Sequence, residues 1–565
     1  DDMTLQALLV ENKIKKVPLE QRTEYTNAEE IIAAKQDYAA SHATHVTGIA
    51  AGAYKGNEYY GIAPDADLVF VSYNVSDNSS SNTSITDGIK YIYDYAESVG
   101  KPCVINMSLG YHIGPHDGTS TFDRICDELQ GEGRLLVGAS GNEAEYNIHA
   151  TKTLKKGDTN MKSLVEFVSN WYLYGSMTST VDIWGDAEKQ LSARVFVYDI
   201  LNKKEIYSSE SFSTTTSASK KISNPTGADG NIYISTATNP YNKKGNITID
   251  LNLSSFDNRN YYIGFEISGP EETTINAWTD AYMSWLSNFG NSEFTNGDNN
   301  STMGEIGGTG KRIITVGAYT SCNYIDHKNS SMWNNSGQTL NQLVSFSSLG
   351  PTADGRMKPD ITAPGSMLIS SFNSSTSSNR NGEDYNYVVK QENVNTVNYY
   401  YGSMEGTSMA TPVVTGVLAT WLQANPKLTP EQVREILSNT ATTDSYTGNI
   451  AGVGNNRWGY GKINAYDGLV YCLNHSGIEQ IGTPTRPMVY PNPATDICYF
   501  LLQNDDKNVN VSIYTLNGTE IYSRYMGNIN AGEQNQLDLS DLAAGIYFIH
   551  ITGDKTNMTT KLTVK

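Results

Sequence analysis

The stretch Gly406-Thr407-Ser408-Met409-Ala410-Thr411-Pro412 decides how the rest of the chain is interpreted. It precedes an apolar run at 413–419, whose many small residues are typical of a buried helix. A serine in the first turn of such a helix lies among backbone N–H groups without helical acceptors, in the positive field of the helix terminus. Its hydroxyl can attack a carbonyl while those N–H groups stabilise the oxyanion. Pro412 is expected in that first turn, where its missing N–H costs little. For a bare serine, helix capping is the simpler alternative.

The complete heptapeptide resembles the nucleophile motif of the subtilisin-like serine proteases, and a second stretch supports the resemblance. Ser41-His42-Ala43-Thr44-His45-Val46-Thr47-Gly48 is similar to the histidine motif of that family, with Ala43 where the family usually has glycine. The resemblance implies that Ser408 is the nucleophile, His42 the general base and His45 a structural residue. Two histidines at this spacing can also bind a metal ion, but no acidic residue follows them with metal-ligand spacing.

Strand and helix patterns alternate after the histidine motif. Apolar runs at 68–71, 103–110 and 135–139 predict buried parallel strands, and residues 85–99 and 122–129 carry helical stripes. The short loops between them predict an α/β fold with a parallel sheet, which is the fold that the resemblance implies. Ligands are expected at the carboxyl ends of its strands.

Two of these predicted strand ends resemble substrate-binding segments of the family. Ser108, Leu109 and Gly110 resemble the segment that pairs with the peptide as an added strand and lines the primary specificity pocket. Ala139, Ser140, Gly141 and Asn142 resemble the oxyanion segment. The resemblance assigns the side-chain amide of Asn142, with the N–H of Ser408, to the oxyanion, where losing one donor costs about 10²–10³ in rate. An asparagine after glycine is otherwise most often a turn residue.

Residues 146–300 interrupt the α/β pattern with apolar residues at every second position and frequent turn residues. They predict an inserted β-sandwich of jelly-roll type. We expect its ends to lie close together and, because it begins just after Asn142, we expect it to overhang the substrate groove. The aromatic residues Trp171, Trp184 and Trp278 are interpreted as core residues, with binding of sugar or peptide as the alternative.

The predicted organisation places five segments along the chain. The segments are a first protease part at 1–145, the sandwich at 146–300, a second protease part at 301–472, a polar linker at 473–486 and a small all-β domain at 487–565. The second protease part contains a capping box at 429–432, which predicts the start of a helix. The last segment has an Asn517-Gly518 turn between alternating strands and resembles the C-terminal sorting domains of type IX secretion in Bacteroidetes. A generic immunoglobulin-like adhesive module is the alternative.

Composition excludes several classes of function. The net charge of −20 argues against nucleic acid as a partner. No apolar stretch approaches the length of a membrane span, and the five cysteines have neither zinc-site nor disulfide-framework spacing. The expected partners are a protein or peptide substrate and the secretion machinery, the latter through the C-terminal domain, and the expected location is secreted or cell-surface. The resemblance implies no required cofactor and allows structural calcium, although no loop has recognisable calcium spacing.

The triad aspartate of the family has no counterpart before His42. The aspartates there are Asp1, Asp2 and Asp37, and none lies in the family motif. A strand predicted at 13–17, followed by a helix predicted at 26–34, resembles the strand after the aspartate in related proteases. We therefore expect that the aspartate strand precedes Asp1 in a longer chain, and that the sheet lacks one strand unless another segment fills its place. The alternative is an impaired scaffold that binds protein or carbohydrate.

Overall fold

The computed structural model describes most of the chain and divides it into two compact units, Asp1–Cys472 and Leu473–Lys565. The described residues are 4–9, 41–53, 58–72, 81–167, 177–223, 225, 229–254, 256–257, 259–280, 283–382, 384–394, 396–475, 488–490, 492–502, 504–515, 519–531 and 533–565. The strand predicted at 13–17, the helix predicted at 26–34 and the turn predicted at 517–518 lie outside them.

The described residues form strands and helices in the following order along the chain. The strands are β1 (Thr4–Leu9), β2 (Asp67–Ser72), β3 (Cys103–Met107), β4 (Arg134–Ala139), β5 (His149–Thr153), β6 (Asn160–Phe167), β7 (Met177–Ala187), β8 (Ser192–Asp199), β9 (Lys204–Ser208), β10 (Phe212–Ser213), β11 (Ala218–Ser223), β12 (Gly230–Thr238), β13 (Lys244–Leu253), β14 (Tyr261–Ser268), β15 (Thr274–Thr279), β16 (Ser284–Ser287), β17 (Ile314–Tyr319), β18 (Ile361–Pro364), β19 (Leu368–Phe372), β20 (Val388–Val394), β21 (Val397–Met404), β22 (Met488–Tyr490), β23 (Ile497–Leu501), β24 (Asp506–Thr515), β25 (Glu520–Ile529), β26 (Asn535–Asp538), β27 (Gly545–Thr552) and β28 (Asn557–Val564). The α-helices are α1 (His42–Ala51), α2 (Ser81–Ser98), α3 (Thr121–Leu129), α4 (Glu305–Gly308), α5 (Ser374–Ser378), α6 (Thr407–Ala424), α7 (Pro430–Thr440) and α8 (Ala465–His475).

A six-stranded sheet with the order β18-β17-β4-β3-β1-β2 forms the centre of the first unit. The strands β3, β4, β17 and β18 run parallel to one another. Their residues are almost all buried, which explains why these strands are continuous apolar runs in the sequence. The predicted α/β class with a parallel sheet is therefore confirmed.

Strand β1 departs from this arrangement because it pairs antiparallel with both β2 and β3. It fills the place between these two strands, so another segment does complete the sheet there. Strand β2 becomes an edge, and the prediction of a buried strand at 68–71 is wrong: Leu68 is 39% and Phe70 is 54% exposed. The apolar run is partly buried on one face only, where Val69 and Val71 pack against the core.

Helices cover the central sheet on both faces. Because strand side chains alternate, Val104 and Leu135 pack in one apolar cluster with α1 and α6, whereas Ile105 and Leu136 pack in another with α2 and α3. Helix α6 is buried along nearly its whole length, as its small apolar residues predict. Helix α7 begins with the predicted capping box of Thr429 and Gln432.

The insertion between β4 and α4 folds into two antiparallel six-stranded sheets. One has the order β10-β8-β14-β6-β16, with β9 beside β8, and the other has the order β11-β12-β13-β7-β15-β5. Alternating apolar residues of both sheets form one core. The two ends of the insertion meet where His149 and Asp298 exchange backbone hydrogen bonds of 2.6 and 3.3 Å. Trp184 and Trp278 are buried, with 7% and 0% of their surface exposed, while Trp171 lies outside the described residues.

The second unit is all-β. It contains a sheet with the order β22-β23-β26 and a sheet with the order β25-β24-β27-β28. Phe500, Val511 and Ile549 are among the fully buried residues of its core. This all-β class agrees with the alternating pattern of the sequence.

Candidate active site

Ser408 is the second residue of α6, and the backbone around it suits an attacking hydroxyl. Gly406 precedes the helix with a φ of 148°, a conformation that residues with a Cβ rarely adopt. Because Ser408 is the second residue of the helix, its N–H lies in the first turn, where the helix offers it no acceptor. Ser408 is half-buried, so its side chain is not closed off from solvent.

The side chain of Asn142 packs against the same turn. Its Oδ1 accepts the N–H of Thr407 at 2.9 Å and the hydroxyl of Thr407 at 3.1 Å. Asn142 Nδ2 donates no hydrogen bond to any of the described residues. A Cβ built on Gly406 would lie 3.6 Å from Asn142 Nδ2 and 3.6 Å from the nitrogen of Ser408. The two predicted oxyanion donors therefore border one small space beside Gly406.

Glu143 and Ser348 hold the loop of Asn142 from behind, and the sequence analysis missed both. The hydroxyl of Ser348 donates to Glu143 Oε2 at 2.9 Å and accepts the N–H of Glu143 at 3.0 Å. Gly141 has a φ of 108°, and a Cβ there would overlap Glu143 Oε2, so only glycine fits. Burial favours a raised pKa for Glu143, but hydrogen bonds from His112 and Ser348 outweigh it and leave the pKa below its ordinary value.

His42 is the first residue of α1, which packs in the same apolar cluster as α6. Burial lowers the pKa of His42, which favours the neutral imidazole that a general base needs. Among the described residues, no carboxylate raises the pKa of His42 against the effect of burial. Within the described part of the chain, no hydrogen bond joins His42 to Ser408. Asp37 lies outside the described residues.

His45 occupies a structural position three residues further along α1. Its Nε2 contacts the carbonyl oxygens of Leu368 at 3.0 Å and Gly402 at 3.2 Å, and the residue is fully buried. Burial lowers the pKa of His45 to about 3, so the ring is neutral at physiological pH. The geometry agrees with the structural role that the resemblance implies.

The side chain of Ser108 contacts the backbone of the nucleophile. Its hydroxyl donates to the carbonyl of Ser408 at 2.7 Å and accepts from Asn106 Nδ2 at 3.0 Å. Pro412 lies inside α6, and the prediction of its place in the first turn is wrong because the helix already begins at Thr407. Without an N–H, Pro412 cannot donate to the Ser408 carbonyl four residues earlier. Ser108 supplies that missing donor.

The other predicted substrate residues belong to two segments, 108–110 and 139–141. A third segment, at 304–305, connects the two through hydrogen bonds to Ser140 and Tyr111. Leu109, Ala139 and Ser140 are buried, whereas no atom lies within 4 Å of a Cβ built on Gly110. Their part in substrate binding stays a prediction.

The joining segment contains Gly304 and Glu305, which the sequence analysis missed. The N–H of Gly304 donates to the carbonyl of Ser140 at 3.1 Å, and the N–H of Glu305 donates to the carbonyl of Tyr111 at 2.6 Å. The sequence offered one signal for this segment: Gly304 stands where the α/β pattern resumes after the insertion.

A second serine–histidine contact lies outside this site. Ser403 Oγ is 2.5 Å from His327 Nε2, and Asn334 Oδ1 is 3.1 Å from His327 Nδ1. Ser403 is only 4% exposed and lies within β21, not at a helix terminus. The contact joins the loop before β18 to the hairpin that leads to Ser408.

The described residues contain no group of three or more His, Cys, Asp or Glu side chains arranged to hold a metal ion. None of their helices has both the length and the apolar character that a membrane crossing requires.

Comparison with protein families follows the same division of the chain. The model of the subtilase family matches residues 5–461. The chain belongs to the subtilase family. The model of a secretion system C-terminal sorting domain matches residues 488–565 of the same subtilase. A secreted or cell-surface location follows from this tail.

Individual relatives of the subtilase match it over short stretches. Serine protease AprX of Bacillus subtilis (strain 168) is 36% identical over 158 residues, which are 28% of this chain and 30% of that protein. Subtilisin of Bacillus sp. (strain TA39) is 35% identical over 106 residues, 19% of this chain and 24% of that protein. The match thus spans less than a third of either relative. The structure of the Clostridium perfringens CspB protease shares the fold, with a TM-score of 0.55 at 19% identity over 80% of this chain and 85% of that chain.

Proposed function

We propose that this subtilase is a serine endopeptidase, and the space beside Gly406 carries the proposal. Ser408 attacks the carbonyl of a peptide bond, and His42 takes the serine proton and returns it to the leaving amine. Asn142 Nδ2 and the N–H of Ser408 hold the oxyanion, because both donors border the same space. The reaction uses protein groups alone and needs no cofactor, and structural calcium stays a prediction.

The rate depends on how His42 is oriented. A carboxylate on the second ring nitrogen fixes the tautomer and stabilises the imidazolium, and its loss costs on the order of 10⁴ in kcat. No described residue fills this role at His42. Rapid peptide cleavage therefore requires a carboxylate from outside the described residues that orients His42.

Covalent labelling with an alkyl fluorophosphonate tests the proposal. We expect Ser408 to be labelled, Ser408→Ala to abolish labelling and Asn142→Ala to slow it by about 10²–10³. Asn147→Ala, at an exposed position of the same loop, is the matched control and should label at the unchanged rate. Labelling of another serine, or equal rates for the two asparagine variants, contradicts the proposal.

A non-catalytic scaffold is the second candidate, favoured by the absence of a carboxylate at His42 in the described residues. It predicts that peptide cleavage stays undetectable and that the fluorophosphonate does not label Ser408. Carbohydrate binding through the sandwich tryptophans has little support, because Trp184 and Trp278 are buried.

We further propose that residues 488–565 address the protein to the secretion machinery. The family match of this segment and its separate compact unit support this role. Deletion of 488–565 should abolish export from a host with that machinery and leave fluorophosphonate labelling of Ser408 in the purified protein unchanged. Export without the segment would contradict the proposal.

A further inference from the structure

We propose that the inserted sandwich positions the substrate segment of the protease through the loop 111–119, with Asp182 of β7 as the positioning residue. We call residues 111–119 the bridging loop. The inference rests on the proposed function, since the loop continues directly from Gly110 at the end of the predicted substrate segment. It assigns the insertion a part in peptide recognition.

The α/β part of the first unit holds the bridging loop on one side. Tyr111 accepts the N–H of Glu305 at 2.6 Å, and Glu305 Oε2 accepts the N–H of His116 at 2.7 Å. The carbonyl of His116 accepts the N–H of Ala353 at 2.7 Å. His112 Nε2 lies 3.5 Å from Glu143 Oε2, behind the oxyanion loop.

The sandwich holds the loop on the other side, and Asp182 is the central contact. Asp182 is 1% exposed and its Oδ2 accepts the N–H of Gly114 at 2.8 Å. Its remaining partners all belong to the sandwich: Trp184 Nε1 at 2.7 Å, Asn246 Nδ2 at 2.8 Å and Thr248 Oγ1 at 3.1 Å. These donors fix the carboxylate, so its contact with the loop is preorganised.

Gly114 is confined between the two sides. It has a φ of 148°, and a Cβ built on it would lie 2.5 Å from Glu305 Cδ. The backbone thus passes between a carboxylate of the α/β part and a carboxylate of the sandwich with no space for a side chain. A shift of the Asp182 contact must therefore move the loop backbone itself.

Further contacts extend the attachment along the loop. The ring of His116 stacks on Trp278, with 4.1 Å between ring centroids and an interplanar angle of 13°. Lys244 Nζ lies 2.7 Å from Asp117 Oδ2, and Asn242 Nδ2 donates to Thr119 Oγ1 at 2.8 Å. The insertion therefore contacts the loop at four positions, Gly114, His116, Asp117 and Thr119.

This arrangement predicts which step suffers when the attachment is lost. A peptide must pair with the segment 108–110, whereas a small alkyl fluorophosphonate needs only Ser408, His42 and the oxyanion donors. A loosened bridging loop should therefore impair reactions that use the peptide and spare the reaction that does not.

The test compares Asp182→Ala with Asp186→Ala in the full chain. Asp186 lies four residues further along β7, and its side chain accepts the N–H of Thr274 on the neighbouring strand at 2.7 Å. We expect Asp182→Ala to speed amide hydrogen exchange in 110–116 by about tenfold or more, because a buried hydrogen bond is lost. Asp182→Ala should also slow the labelling of Ser408 by peptidyl diphenyl phosphonates, tested as a set with varied terminal side chains. We expect this slowing to be about tenfold greater than the slowing seen with alkyl fluorophosphonate. Asp186→Ala should change neither the exchange rate of the loop nor the ratio of the two labelling rates.

A milder pair keeps the test decisive if Asp182→Ala does not fold. Lys244→Met removes the ion pair with Asp117, and Lys243→Met alters the adjacent lysine, whose Nζ contacts the carbonyl of Pro240. Only Lys244→Met should speed exchange in the loop. Unchanged exchange in folded Asp182→Ala or Lys244→Met overturns the inference. If unsubstituted protein is not labelled at Ser408, the proposed function fails, whereas exchange still decides whether the sandwich holds the loop.

Discussion

The hydroxyl of Ser108 donates a 2.7 Å hydrogen bond to the backbone carbonyl of Ser408, across 300 residues of sequence. It takes the place of the N–H that Pro412 lacks. The chain of bonds continues, since Asn106 Nδ2 donates to Ser108 and Thr415 Oγ1 donates to Asn106 Oδ1, each at 3.0 Å. The end of β3 is thereby fixed to the first turns of α6, so the substrate segment and the nucleophile keep one relative position.

Ser108→Ala should reduce both stability and reactivity. The carbonyl of Ser408 would lose its donor, which costs about 0.5–1.5 kcal/mol in the free energy of unfolding. Pro412→Ala restores a helical N–H to the same carbonyl, so the double variant should recover much of the loss. Urea denaturation and the rate of labelling at Ser408 measure both effects. Ser438→Ala, on the surface of α7, serves as the control. If the effects of Ser108→Ala and Pro412→Ala are strictly additive in the double variant, the N–H of residue 412 does not replace the hydroxyl of Ser108.

Ser403 should stay unlabelled by fluorophosphonate despite its contact with His327. The pair has the hydrogen bond of an activated serine, but Ser403 is 4% exposed and lies in a strand without the free N–H groups of a helix terminus. We expect mass spectrometry of the labelled peptides to find the adduct on Ser408 alone. Ser403→Ala should leave the labelling rate within about twofold of the unsubstituted protein. An adduct on Ser403 would contradict this prediction and show that the reagent reaches the buried hydroxyl.

Much of the fold and the order of the candidate site residues could be predicted from local patterns. The run at 135–139 predicts a buried strand because parallel strands are covered on both faces, and the small residues after Ser408 predict a buried helix. The place of β1 between β2 and β3 could not be predicted, because strand order and direction depend on partners distant in sequence. The pairing of Ser108 with the carbonyl left free by Pro412 was hidden for the same reason. Glu143 and Glu305 have ordinary sequence surroundings, and only the folded chain shows what they hold.

Glu305 should make the stability of the protein depend on pH. Burial raises the pKa of Glu305 to about 7, above its ordinary value of 4.5, and the nearby Asp123 shares the hydroxyl of Thr309 with it. The folded state therefore binds the proton more tightly than the unfolded state, so this contribution to stability is present below pH 4.5 and is lost as the pH rises to about 7.

Glu305→Gln should remove that dependence because glutamine stays neutral. We expect its melting temperature, relative to the unsubstituted protein, to rise between pH 5 and pH 8. Glu293→Gln, at an exposed position, should show a constant difference over the same range. A difference for Glu305→Gln that stays flat or falls with pH would contradict the raised pKa.

Gly406→Ala should abolish reactivity without preventing folding. The new methyl group would lie 3.6 Å from both Asn142 Nδ2 and the nitrogen of Ser408, which is ordinary contact distance, but it would occupy the space assigned to the oxyanion. Labelling of Ser408 should therefore slow by at least about 10²–10³, the effect of losing one oxyanion donor. Gly157→Ala is the control, because Gly157 also has a positive φ, of 91°, with no atom within 4 Å of a built Cβ. Both variants carry backbone strain of about 1–3 kcal/mol, so they should melt at similarly lowered temperatures. If Gly406→Ala reacts as fast as Gly157→Ala, the oxyanion is not held in the space between Asn142 and Ser408.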